Sequence, residues 1–206
     1  MLDLPPPAPS IEFVLASRGY SKGLAQTDGA QFLVRGEVEW GPLFAAAQWK
    51  NVNSSGARSE PQVQVGAGGD VDGFALQAAL GYKILTGLPS SADADAFEFT
   101  ASASRAFGPL TPRLALTFSF DDLGGTRQSL YAEAGASLRI APRTRLSAHV
   151  GRRERGGGED YTAFGAGISR QLGEHVTAEL RYNDSARSAR GDAYEARAVA
   201  SLRLRF

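Results

Sequence analysis

The chain ends Tyr194-Glu195-Ala196-Arg197-Ala198-Val199-Ala200-Ser201-Leu202-Arg203-Leu204-Arg205-Phe206, and this stretch decides the fold. Tyr194, Ala196, Ala198, Ala200, Leu202, Leu204 and Phe206 fall on one face of an extended strand. Glu195, Arg197, Val199, Ser201, Arg203 and Arg205 fall on the other. A period of two sustained over a whole strand length predicts one apolar and one charged surface. The charged face carries three arginines, so it needs water, while the apolar face needs a non-aqueous neighbour.

The same period recurs upstream. Alternating segments fall at 11–20, 30–40, 43–52, 60–68, 74–84, 96–106, 110–120, 129–139, 144–152, 161–171 and 175–183, and the terminal one at 193–206 makes twelve. Phe32, Val34, Val38 and Trp40 alternate with Arg35, Glu37 and Glu39, and Leu114, Leu116 and Phe118 alternate with Arg113, Thr117 and Ser119. The lengths match the nine to eleven residues that a tilted strand needs to cross a bilayer. Connections alternate between short ones, such as Gly41-Pro42 and Phe107-Gly108-Pro109, and longer polar ones, such as 53–58, 86–95 and 184–192. Short periplasmic turns and long outer loops alternate in this way in outer-membrane barrels, whereas a soluble sandwich has no reason to sort its loops by parity. The expected fold is therefore all-β: a transmembrane up-and-down antiparallel barrel of about twelve strands with both termini periplasmic. Residues 1–10, rich in proline, read as an N-terminal strap, and 11–206 as one barrel domain. The location implied is the outer membrane of a Gram-negative bacterium. On this phasing Tyr20, Tyr82, Tyr131, Tyr161, Tyr182 and Tyr194 all lie at the outer rim, as an aromatic belt would.

Composition excludes several alternatives. Lys plus Arg and Asp plus Glu both number 22 in the 206 residues, so no net charge draws the chain to nucleic acid. Cysteine is absent, which removes disulfides and thiolate metal sites. No window approaches eighteen consecutive apolar residues, so no transmembrane helix is expected.

The first long connection carries a motif. Ser17-Arg18-Gly19-Tyr20-Ser21-Lys22-Gly23-Leu24-Ala25-Gln26-Thr27-Asp28 resembles the first-loop signature of the TorF family of porins, with Lys22, Gly23, Gln26, Thr27 and Asp28 matching. Trp49-Lys50-Asn51-Val52 and the stretch from Tyr161-Thr162 to Ser169 resemble later blocks of that family. Arg18 departs from it, standing where the family usually has Asp. The resemblance implies a porin-like barrel and names no solute.

Phasing assigns the lumen wall. Glu12, Arg35, Glu37, Glu39, Glu98, Arg113, Glu133, Arg139, Arg145, His149, Glu179, Arg181, Arg197, Arg203 and Arg205 all point inward. Glu12, Glu37 and Glu39 are expected to face Arg113, Arg139 and Arg145 across the periplasmic half, unless neighbours such as Arg205 and Glu12 pair instead. Twelve strands tilted near 40° give a backbone radius of about 12 Å, narrow for a general porin and wide enough for a small metabolite. No loop exceeds roughly a dozen residues, so a bulky plug is not expected, although the 20–28 loop has room to constrict the lumen or to be latched by Asp28. Leu202, Leu204 and Phe206 read as the signal recognised by the barrel-insertion machinery. Outer-membrane lipids, lipopolysaccharide and another envelope protein are the other expected partners, and no cofactor is implied.

Catalysis finds little support. His149 lies inward beside Ser147 and His175 lies at a short turn, neither with an evident nucleophile. Asp70 and Asp72, within Gly66–Gly73, are too few for a calcium loop and read as a turn. Asp93, Asp95, Glu159 and Asp160 read as loop caps. The function expected is passive diffusion of small polar or charged solutes. The rivals are a non-conducting barrel that binds a partner subunit or lipid, and a lipid-acting outer-membrane enzyme.

Overall fold

The computed structural model describes residues 5–53, 56–90 and 92–206. Its strands are β1 (Ala8–Ala16), β2 (Tyr20–Ser21), β3 (Leu24–Ala25), β4 (Gln31–Trp40), β5 (Leu43–Asn51), β6 (Ser59–Val71) and β7 (Phe74–Ile84). There follow β8 (Asp95–Arg105), β9 (Leu110–Asp122), β10 (Arg127–Ala141), β11 (Thr144–Arg155), β12 (Tyr161–Gln171), β13 (Val176–Asp184) and β14 (Arg197–Arg205). Twelve of these form a closed antiparallel barrel in sequence order, and β2 and β3 make a separate two-stranded hairpin. The barrel closes because β1 pairs with β4 on one side and β14 on the other, which removes the sheet edges.

Each of the twelve alternating segments became a barrel strand. The largest differences are at the first and last strands, where β1 stops at Ala16 instead of residue 20 and β14 starts at Arg197 instead of residue 193, while β6, β9, β10 and β11 run past the expected limits to Val71, Asp122, Ala141 and Arg155. β1 begins at Ala8, so the last residues of the expected strap are paired, with Ala8 opposite Glu39. The first four strap residues lie outside the described residues. On the periplasmic side the turns are tight. Asp72 (φ 53) and Gly73 (φ 79) form a two-residue hairpin turn of the primed type, and the Gly73 amide donates to Asp70 Oδ1 at 3.0 Å. Asp70 and Asp72 therefore serve a turn.

Burial is inverted relative to a soluble domain. Large apolar side chains lie on the outer surface: Leu114 is 62% exposed, Leu116 49% and Leu202 43%. The buried positions include many polar ones, among them Lys50, Glu60, Lys83, Glu98, Asp122 and Asn183, and these cluster inside the outer half. Lipid is the medium in which such an outer face is stable, and a barrel satisfies every strand amide within the sheet.

Candidate functional site in the barrel lumen

Register fixes which side chains face the lumen. Glu12 stands opposite Arg205 on β14 and Arg35 on β4, and parity then carries the inward face around the ring. Arg113 stands opposite Gly135, and Gly135 opposite His149. Arg145 stands opposite Ser169, and Ser169 opposite Glu179. The fourteen charged residues and His149 expected in the lumen fall on this inward face by register, while Leu114, Leu116, Ala132 and Ala134 lie on the other.

The first connection does more than cross the rim. β2 and β3 fold it into a hairpin whose tip, Lys22 (φ 49) and Gly23 (φ 82), enters the lumen. Its base is tied by Thr27, whose Oγ1 accepts the Gly19 amide at 2.7 Å. The Asp28 amide donates to Asn53 Oδ1 at 3.1 Å, and Asn53 Nδ2 donates back to Asp28 Oδ2 at 3.2 Å. Lys50 Nζ donates to Gln26 Oε1 at 2.9 Å and pairs with Glu60 at 2.8 Å. At the tip, Tyr161 donates its hydroxyl to the Lys22 carbonyl at 2.7 Å. Gly23 packs so close to β12 that a Cβ there would lie 2.1 Å from that of Ala163, so this position needs glycine for both space and dihedral. Both courses the sequence left open for the 20–28 loop are taken: Asp28 latches its base, and the hairpin folds inward to narrow the lumen.

Lys22 completes a buried ring of charge. Its ammonium pairs with Glu98 of β8, on the same Oε1 that Lys83 of β7 contacts at 2.7 Å. Lys83 also reaches Asp122 Oδ1 at 3.1 Å, while Arg153 and Ser129 (2.7 Å) hold Asp122 Oδ2. Burial and the neighbouring Lys83 pull Lys22 below the ordinary lysine range, with Glu98 opposing. Tyr20 is pushed up to about 12 by burial and by Asp184, so it adds no charge. On the outer side of the hairpin lies a vestibule of about 850 Å³ bordered by Gln26, Lys50, Glu60 and Asp122. On the periplasmic side lies a chamber of about 430 Å³ bordered by Arg113, Tyr131, Glu133, His149 and Arg181. Ser21 and Lys22 border both.

Below the hairpin the charges partly pair along their own wall. Arg35 holds Glu37, Arg181 holds Glu179, Arg113 lies 3.6 Å from Glu133, and Arg203 lies 3.6 Å from Glu12. Arg205 is the register partner of Glu12, yet Arg203 makes the contact. Among the described residues, Arg139, Arg145, Arg205 and Glu39 have no opposite charge within 4 Å. Arg139 and Arg145 stand directly opposite each other. The remaining member of the expected set, Arg197, binds Glu195 at 3.1 Å near the outer rim. At the seam, Ile11 and Phe206 exchange two backbone hydrogen bonds of 3.0 Å, and the Phe206 ring stacks on His175.

The aromatic-belt expectation needs correction. Tyr82 and Tyr182 face outward, but Tyr131 and Tyr161 lie on inward rungs and are buried at 7% and 1% exposure. Gly151 leaves the space that the Tyr131 ring fills. Tyr194 meets the Tyr161 ring edge to face, and Tyr20 donates to the Glu195 carbonyl at 3.0 Å. These four belong to the packing around the hairpin. Ring members Asp122 and Arg153 escaped the sequence reading because each lies just past a segment end and was counted as loop. Lys83 carried a usable signal, since it shares parity with Gln77, Ala79 and Gly81. The acidic loop residues act as latches, Asp93 accepting the Gly125 amide, Asp95 the Tyr82 hydroxyl and Asp160 the Arg155 amide.

Known proteins place this geometry. No curated protein matches the chain. Solved structures share the fold at low identity. A KdgM porin superposes with a TM-score of 0.65 at 10% identity, covering 96% of this chain and 99% of that one. A NanC porin gives 0.61 at 12%, covering 95% and 97%. An outer-membrane channel from Pseudomonas putida F1 gives 0.58 at 12%, covering 98% and 95%. The model of a family described as Gram-negative porin matches residues 15–190, from the end of β1 to the last outer loop. The chain belongs to the Gram-negative porin family, and is a porin-like channel of the outer membrane.

Proposed function

We propose that this porin passes small polar or charged solutes by passive diffusion and prefers anions. The supporting observation is the inward charge left unpaired in the periplasmic half. Arg139, Arg145 and Arg205 have no carboxylate within 4 Å among the described residues, against Glu39 and the turn residue Asp70 as inward acids without a cation partner. A lumen wall with surplus guanidinium raises the local anion concentration, because low-dielectric walls focus the field of fixed charges. The other arginines are partly neutralised by Glu12, Glu37, Glu133 and Glu179, so the preference is modest. Within the Gram-negative porins we assign the chain to the TorF group, on Lys22, Gly23, Gln26, Thr27 and Asp28 of the first loop.

A channel reading fits the lumen better than an enzyme reading. Ser147 and His149 share the inward face, but both turn to Arg181, at 3.2 Å and 3.3 Å, rather than to each other. A guanidinium cannot accept a proton from serine, so this arrangement does not generate a nucleophile. Reversal potentials across a planar bilayer in asymmetric potassium chloride test the proposal. The wild type should favour chloride, and the combined change Arg113→Glu, Arg139→Glu and Arg145→Glu should favour potassium. An unchanged reversal potential in the triple variant refutes the anion preference.

A further inference from the structure

The ring that lines the outer vestibule holds three cations and two carboxylates within a few ångströms. Its members come from five places in the chain: Lys22 from the hairpin, Lys83 from β7, Glu98 from β8, Asp122 from β9 and Arg153 from β11. None of these side chains is more than 14% exposed. Each carboxylate is held by two cations. Glu98 Oε1 takes both Lys22 and Lys83, and Asp122 takes Lys83 on one oxygen and Arg153 on the other. Arg153 Nε, buried beside them, has no hydrogen-bond partner among the described residues. The ring is thus shaped to hold carboxylates, carries one surplus positive charge and keeps a donor in reserve.

We propose that this ring is the solute filter, that Lys22 is its specificity-determining residue, and that the solutes it admits carry a carboxylate. The inference rests on the channel reading. A carboxylate arriving from the outer vestibule meets a ring whose positive charge Glu98 and Asp122 do not fully neutralise. A cation is repelled by the one surplus positive charge, and a neutral solute gains nothing from it. Lys22 decides the balance because it is the ring member carried by the hairpin rather than by the wall. Replacing it takes the ring from three cations against two carboxylates to an even count. One unit charge at about 5 Å in water-like dielectric changes a monovalent ion's occupancy by roughly threefold to fourfold.

The test is the ratio of acetate to potassium permeability, from reversal potentials in asymmetric potassium acetate with the full-length barrel in a planar bilayer. Lys22→Met keeps the side-chain length and removes the charge, and because acetate occupancy falls while potassium occupancy rises, the ratio should fall by roughly tenfold while conductance changes little. Glu98→Gln leaves three cations against one carboxylate and should raise the ratio by a similar factor, and Lys22→Arg should keep the wild-type value. If Lys22→Met and Glu98→Gln both retain the wild-type ratio, the filter is refuted even if conductance rises, since Lys22 would then be only a strut. A wild-type barrel that passes no current overturns the channel reading and the filter with it.

Discussion

Leu116→Arg tests the inside-out assignment most directly. Leu116 is the central residue of β9 (Leu110–Asp122), and its register neighbours are Ala101 on β8 and Ala132 on β10. All three point away from the lumen, so a guanidinium there has no carboxylate to reach and sits at the depth of the hydrocarbon middle. Arginine on the lipid face at that depth costs about 2–4 kcal/mol. At about 1.4 kcal/mol per decade this is a shift of about 30- to 700-fold in the folding equilibrium. The next residue, Thr117, points the other way, opposite Thr100 and Tyr131, and borders a lumen cavity of about 280 Å³. Thr117→Arg has room and water, and its neighbours Arg113 and Arg35 are already paired with Glu133 and Glu37, so it should cost under about 1 kcal/mol. Both variants can be unfolded with urea from phospholipid vesicles and followed by the fluorescence of Trp40 and Trp49, which lie on the outer face. Equal losses at positions 116 and 117 would refute the assigned phase of β9 and, through its register, of β8 and β10.

Further outcomes follow from the seam and the hairpin. Deleting Phe206 should lower outer-membrane yield in cells, because we propose that the terminal strand is read by the insertion machinery; unchanged membrane levels refute this. Gly23→Ala introduces a methyl 2.1 Å from Ala163 at a φ of 82, so the hairpin should swing out and single-channel conductance rise; wild-type conductance would show that the hairpin does not limit flow. Tyr161→Phe removes the hydroxyl that donates to the Lys22 carbonyl, a loss of about 1 kcal/mol, and should speed amide exchange across 20–25 without changing the barrel's exchange.

The barrel was legible in the sequence because its determinants are local. A strand's side chains alternate every second residue, so the split of Arg203 and Arg205 from Leu202 and Leu204 fixes both the element and its two environments without knowledge of any partner. The loop parity then fixed the order and direction of the strands. The lumen list followed from the same parity, and register placed each of those residues on the inward face.

What parity cannot supply is how far across the lumen a side chain reaches and what fills the space there. Lys22 and Glu98 are separated by 76 positions, and Tyr161 and Lys22 by 139. These pairs meet only because closure of β1 on β14 brings the first loop within reach of the far walls. Tyr131 and Tyr161 read as rim residues because their chain positions put them near the outer end. Parity with Glu133 already turned Tyr131 inward, but only the closed structure shows that its ring and that of Tyr161 pack around the hairpin. The ring of Lys22, Lys83, Glu98, Asp122 and Arg153 has no sequence pattern, because it is assembled by a loop folding into a cavity that exists only after the sheet has closed.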